Sequence, residues 1–304
     1  MRAAATFVLA ACLTAAACGG SGASSRGGGQ PAAGTLEALY RASGQDVAIV
    51  PGTSDYAPGR VRVSFLVVDA RGRAILRPTA RVWLARGLDA KPFEHAIARQ
   101  EALSAAGASE GDVQAIYVTQ LLVPSPGKYW LLAEPVGGRR IQAIGNLQVA
   151  ATSDVPAVGG RAPASRTPTL ASTHGDVAAL TTRTPPDRDL LRYSVADSLL
   201  AKVPFVVTFA TPRFCSSRTC GPVVDVVESV ARRFRSSRLR FIHVEIYEDN
   251  DPSKGTNRWV KQWRLPTEPW TFLVGADGRI KAELEGAFSA GELTGLLRTK
   301  LRVR

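Results

Sequence analysis

Between residues 36 and 150 apolar and polar positions alternate with a period of two. Val61, Val63, Phe65 and Val67 share one face of an extended segment, and Arg60, Arg62 and Ser64 the other. Segments 46–50, 79–85, 115–123, 128–134 and 141–149 read as further strands. Turn chemistry separates them at Ala57-Pro58-Gly59, Asp69-Ala70-Arg71-Gly72, Pro124-Ser125-Pro126-Gly127 and Gly137-Gly138. Short strands in this number predict an immunoglobulin-like sandwich over 36–150, with no cysteine pair to pin it. The Ala-rich stretch 92–108 reads as a helical or irregular excursion. Trp83, Tyr117, Tyr129 and Trp130 are assigned to the sheet core, and the region reads as a presentation or partner-binding module.

The pattern changes after residue 150. Residues 151–170, rich in Pro, Ala, Ser, Thr and Gly, read as a linker and entry segment, and 173–189 are polar and turn-rich. An amphipathic helix is expected over 190–201, with Leu191, Val195 and Leu199 on one side. Val206 to Phe209 form an apolar, β-branched run expected to be a buried strand. Val223, Val226, Val227, Val230 and Phe234 then fall at helical spacing, with Pro222 suited to the first turn. A strand over 239–246, a short helix over 254–263 bearing Trp259 and Trp263, and a strand over 268–274 follow. Ala276-Asp277-Gly278-Arg279 is a hairpin signal. Ser289 with Glu292 is a capping box before a helix carrying Leu293, Leu296, Leu297 and Leu301.

The N-terminus reads as a leader. Arg2 precedes an apolar core, residues 3–13, that is too short to span a bilayer. Ala15-Ala16-Ala17 before Cys18 resembles a bacterial lipoprotein signal, which implies cleavage after residue 17, lipidation of Cys18 and an extracytoplasmic chain anchored to the cell membrane. Leu9-Ala10-Ala11-Cys12 matches that box by letter but leaves a shorter apolar core. Residues 18–35, rich in Gly and Ser near their start, read as a flexible tether. The net charge of +12 comes with scattered arginines and no nucleic-acid motif. It is read as a basic surface facing anionic lipid or wall polymer, not nucleic acid.

With Cys12 in the leader and Cys18 lipidated, Cys215 and Cys220 are left as a pair, which in an oxidising compartment tends to be a disulfide or a cycling dithiol. In one α-helix the two would lie about 7.5 Å apart along the axis and about 140° apart around it. Pairing therefore requires Cys215 to lie in the loop before the helix, with Cys220-Gly221-Pro222 opening it. Unpaired N–H groups and the dipole at a helix start favour a thiolate.

The strand–loop–Cys–helix arrangement, the Glu268-Pro269 entry to a later strand and Val158-Gly159-Gly160-Arg161-Ala162-Pro163 upstream resemble the TlpA/ResA-like thioredoxins. The resemblance covers about residues 156–304. It implies an α/β thioredoxin fold over 171–304, thiol–disulfide exchange through Cys215 and Cys220, a cis-proline at Pro269 that shapes the substrate groove, protein thiols or disulfides as partners, and no cofactor. Four residues separate the cysteines where the family has two. Either Phe214-Cys215 stands for the family's Trp-Cys, or Cys220-Gly221-Pro222-Val223 stands for Cys-Gly-Pro-Cys. In the second register Cys220 is the dipole-stabilised thiolate, aided by Arg213 and Arg218, and Cys215 is the more exposed. Which cysteine attacks stays open. Thr208 stands where the family has a buried acid. Glu268 either packs on the cysteines, raising thiol pKa values or moving protons, or faces solvent. The competing readings are an inert disulfide clip, a partner-binding or copper-delivering module using His95, His174 or His243, and a thiol peroxidase.

Overall fold

The computed structural model describes residues 31–40, 47–103, 113–215 and 217–303. The leader, Cys12, Cys18 and most of the expected tether lie outside these residues. After a one-turn helix α1 (Leu36–Leu39), the alternating region forms seven strands: β1 (Val47–Pro51), β2 (Gly59–Asp69), β3 (Thr79–Ala85), β4 (Glu94–Ala102), β5 (Ala115–Val123), β6 (Gly127–Pro135) and β7 (Ala143–Val149). All pair antiparallel in one sheet of order β1-β2-β5-β4-β3-β6-β7.

This corrects the sandwich expectation. A sandwich and a closed sheet both bury one face and expose the other, so they share one alternating pattern. What distinguishes them is that the two edges return to each other. A Cβ on Gly145 of β7 would lie only 3.2 Å from Ile49 Cβ of β1, so a side chain there would push the edges apart. Inside the nearly closed sheet pack Val63, Phe65, Val67, Val82, Leu84, Tyr117, Leu121 and Tyr129. Phe65 stacks on Tyr117 with ring centroids 5.4 Å apart. Trp83 and Trp130 instead pack outside, around Leu36 of α1.

Of the Ala-rich stretch 92–108 expected as an excursion, 104–108 lie outside the described residues, and Glu94–Ala102 is strand β4. Its neighbours β3 and β5 supply backbone partners on both sides, and this pairing outweighs the helix preference of alanine.

The second sheet comprises β8 (Phe205–Phe209), β9 (Arg240–Val244), β10 (Trp270–Val274) and β11 (Ile280–Glu285), in order β11-β10-β8-β9. Only the β8–β9 pair is parallel. Helices α3 (Cys220–Arg233) and α5 (Ala290–Lys300) belong with its apolar core on one face, and Trp263 of α4 (Arg258–Trp263) packs on the other. The expected division into a sandwich followed by an α/β thioredoxin fold is overturned. Ala32–Arg304 forms one compact unit that is mostly β, with 20% helix and no clear C-terminal thioredoxin fold.

The helices are shorter than their patterns suggest. Of 190–201 only α2 (Val195–Leu200) is α-helical, because the Ser194 side chain caps a fresh start by accepting from Asp197 N. Of 254–263 only α4 is α-helical, started in the same way by Asn257.

The two sheets share a core. Leu66, Ile116 and Val118 on the outside of the seven-stranded sheet join Val223, Val226, Val227, Leu293 and Leu297 of α3 and α5. Polar bonds lock the seam. Arg62 makes a bidentate pair with Glu292, at 2.6 and 2.9 Å, and donates to the Glu285 and Ala287 carbonyls. The expected capping box is therefore half made. Ser289 accepts from Glu292 N, but the Glu292 carboxylate serves Arg62. Glu285 accepts from Ser54 N and Oγ, Asp55 N and Thr267 Oγ1. Gly286, at φ +69°, is required here, since a Cβ would meet the Gly52 carbonyl oxygen at 2.0 Å.

Candidate functional site

β8 runs out of the second sheet into Ala210 and Thr211, and the cysteine loop begins there. A buried polar group holds this exit from behind. Ala210 N–H donates to the Val244 carbonyl at 3.0 Å, and its own carbonyl accepts from His243 Nε2 at 3.0 Å. Burial keeps the His243 imidazole below its ordinary pKa, so it is a neutral donor in the wall. Thr182 donates through N–H and Oγ1 to Glu245, at 2.6 and 2.8 Å, and the Thr182 hydroxyl accepts from Arg213 N at 3.2 Å. Arg183 pairs with Asp225 and Glu228 on α3, each at 2.6 Å. Residues 181–183 thus tie the cysteine loop to β9 and α3. Sequence reading missed this clamp. Its one signal was His243 and Glu245 interrupting an otherwise apolar strand.

The loop carries Cys215 back to the start of α3. Cys220 is the first residue of that helix, and Cys215 lies in the loop, as pairing required. The Cys220 backbone N–H points at Cys215 Sγ from 3.3 Å, and Ser217 Oγ lies 3.2 Å from the same sulfur. Thr219 Oγ1 holds the Ser217 hydroxyl at 2.7 Å. Gly221 and Pro222 fill the first turn, where the missing proline N–H costs no intrahelical bond. Both cysteines are unbridged, Cys220 buried and Cys215 partly accessible.

The electrostatics reverse the expected assignment of the thiolate. Donation from the Cys220 thiol, helped by Ser217 and the backbone N–H groups, brings the Cys215 thiol down to about 5 against the opposing effect of burial. Burial pushes the Cys220 thiol up, and the negative charges of Cys215 and Glu268 push it further. The helix start therefore serves the sulfur that lies in front of it, not the cysteine within it. Arg213 lies over the Phe214 ring and Arg218 adopts a left-handed backbone (φ +55°); neither is a leading cause of the lowered Cys215 value.

Glu268 is half-buried, and its carboxyl is raised first by burial and then by the Cys215 charge. It belongs to the site's electrostatics. The Glu268–Pro269 bond is cis, and the buried Pro269 carbonyl accepts from Gly286 N at 2.8 Å. Tyr247 meets Phe214 edge-on, with centroids 6.3 Å apart, and the Tyr247 hydroxyl is raised by burial, then by Glu268 and both cysteines. Thr208, where the resemblance implied a buried acid, exchanges a 2.9 Å hydrogen bond with Thr271.

Beside the loop opens a cavity of about 390 Å³ whose wall includes Ser217, Thr219, Thr267 and Glu268. Among the described residues no group of three or more His, Cys, Asp or Glu is placed to hold a metal ion. His95 and His174 are exposed and far along the chain from the loop. No helix among the described residues is long and apolar enough to cross a membrane. Compared with known proteins, the chain matches no family model and none of the curated proteins.

Proposed function

We propose that this chain is a thiol–disulfide oxidoreductase acting on polypeptide thiols or disulfides through Cys215 and Cys220. We further propose that it works outside the cytoplasm from a lipid anchor at Cys18, a reading supported by the leader pattern of residues 1–17. One observation carries the chemistry: an accessible sulfur, Cys215, sits 3.3 Å from the first N–H of α3 with a second, buried sulfur donating to it. That is a poised nucleophile with its resolving partner behind it.

In the reductive direction the Cys215 thiolate attacks one sulfur of a substrate disulfide. An S–S bond forms between Cys215 and the substrate, and the other substrate sulfur leaves as a thiolate. Cys220 then loses its proton and attacks Cys215 Sγ. The mixed disulfide breaks, the second substrate thiolate leaves, and Cys215–Cys220 becomes the disulfide. Two electrons pass from the dithiol to the substrate. The oxidative direction is the same sequence reversed. We assign Glu268, whose carboxyl is raised by burial and by the Cys215 charge, as the acceptor of the Cys220 proton.

The test is to trap the first step. Cys220→Ser, mixed with a disulfide-bonded protein such as insulin, should accumulate a covalent adduct through Cys215 while turnover falls by about a thousandfold or more. Iodoacetamide should alkylate Cys215 of the wild type with a midpoint near pH 5. No adduct, together with an alkylation midpoint near that of a free thiol, would overturn the proposal.

A further inference from the structure

The cavity beside the thiol is not built by the second sheet alone. Its far wall comes from the seven-stranded sheet and the segment leading into it: Val50 at the end of β1, Leu66 of β2, Val113 just before β5 and Ile116 within it. Val50 is 43% exposed, and Leu66 and Val113 are partly buried. Cys215 packs against the same apolar cluster that holds Ile116 and includes Leu66 and Val113 at its margin. Ser217, bonded to the Cys215 sulfur, lines the cavity. The cavity thus has a polar side at the cysteine loop, formed by Ser217, Thr219 and Glu268, and an apolar side on another sheet.

We infer that this wall selects the substrate. The first sheet of the molecule acts as a specificity element for the thiol site on the second, receiving an apolar side chain next to the reacting cysteine of a polypeptide. The inference rests on the thiol-exchange reading above. The size, about 390 Å³, falls within the range of small-ligand sites, about 300–1,000 Å³. Charge excludes the other obvious occupant. Two carboxylates, Glu268 and Glu285, line the cavity, and no Lys, Arg or His does so among the described residues. An anionic low-molecular-weight thiol of the glutathione class meets repulsion there, whereas a neutral or cationic apolar peptide does not.

The experiment compares four disulfides with the full-length reduced protein, oxidised glutathione among them. Two are short peptides with blocked termini, coupled through cysteine to 5-thio-2-nitrobenzoate, with leucines flanking the cysteine in one and serines in the other. The third is hydroxyethyl disulfide, small and neutral. The leucine peptide should react about tenfold faster than the serine peptide. Val50→Ser, and in milder form Val113→Ser, should slow the leucine peptide far more than hydroxyethyl disulfide and bring that ratio close to one. A wild-type ratio near one, a ratio untouched by both variants, or faster reaction with oxidised glutathione than with the leucine peptide would overturn the inference and leave the thiol chemistry standing. Failure to react even with hydroxyethyl disulfide would remove the thiol-exchange reading, and this inference with it.

Discussion

The two sheets handle the same materials in opposite ways. In the seven-stranded sheet the interior is apolar but for Thr119, which donates to the Ile97 carbonyl, and the tyrosines within it reach out to its ends. Tyr117 Oη accepts from Arg77 N and donates to the Ile75 carbonyl, and Tyr129 Oη donates to the Ser125 carbonyl. In the four-stranded sheet β8 and β10 are buried along their whole length, yet they and β9 carry Thr208, Thr271 and His243. A sheet covered on both faces can hold polar side chains only where each finds a partner. Those partners lie where β8 leaves the sheet, next to the cysteine loop. The closed sheet is a wall and the doubly covered one a socket. The Cys215 sulfur lies beside the socket, and its donors are Cys220, Ser217 and the N–H groups at the start of α3.

If that division of labour is real, damage to the wall should cost stability and spare the thiol. Phe65→Ala, inside the seven-stranded sheet, should lower stability by about 3–5 kcal/mol in denaturant unfolding, while the Cys215 alkylation midpoint stays near pH 5. A midpoint that moved with it would show the two regions to be one electrostatic unit. Arg62→Ala attacks the seam instead. It leaves Glu292 and the Glu285 and Ala287 carbonyls without their donor, and should cost about 2–4 kcal/mol. Proteolysis of the native state should then begin at the seam.

Glu283 on β11 tests the seam by pH. Burial, with Asp55 and Glu285 nearby, raises its carboxyl to about 7, and one of its oxygens is buried without a partner. The folded state thus holds a proton that the unfolded state releases near its ordinary value of 4.5. This contribution to stability is fully present below that value and is lost as pH rises to about 7. Glu283→Gln should therefore raise Tm by a few degrees at pH 8 and by less at pH 5; equal shifts at both would refute the titration. The smallest effect is Glu268→Gln. Removing a negative charge beside the cysteines should lower the thiol alkylation midpoint by a few tenths of a pH unit. An unchanged profile would mean that Glu268 does not act on the sulfurs.

Strand positions were legible because period-two patterning survives any way of closing a sheet. Strands β3 and β5 fall on residues 79–85 and 115–123 as the pattern indicates. β4 was not legible, since alanine and arginine mark a strand only once β3 and β5 lie alongside. The cysteine loop was legible as a place where two sulfurs could meet at a helix start. Its charge distribution was not, because which sulfur receives the N–H groups depends on the path of residues 211–219.

The residue order alone determined most of the extended segments, β4 excepted, the helix that Cys220 opens, and that Cys215 must precede it for the two to pair; these are consequences of local periodicity, turn chemistry and helix geometry. The tertiary structure alone decided that the seven-stranded sheet nearly closes on itself, that Arg62 reaches Glu292, that residues 181–183 brace the loop, and that the first N–H of α3 points at Cys215. Those outcomes depend on burial and on donors brought from distant positions, and no local pattern encodes how much water a group will lose.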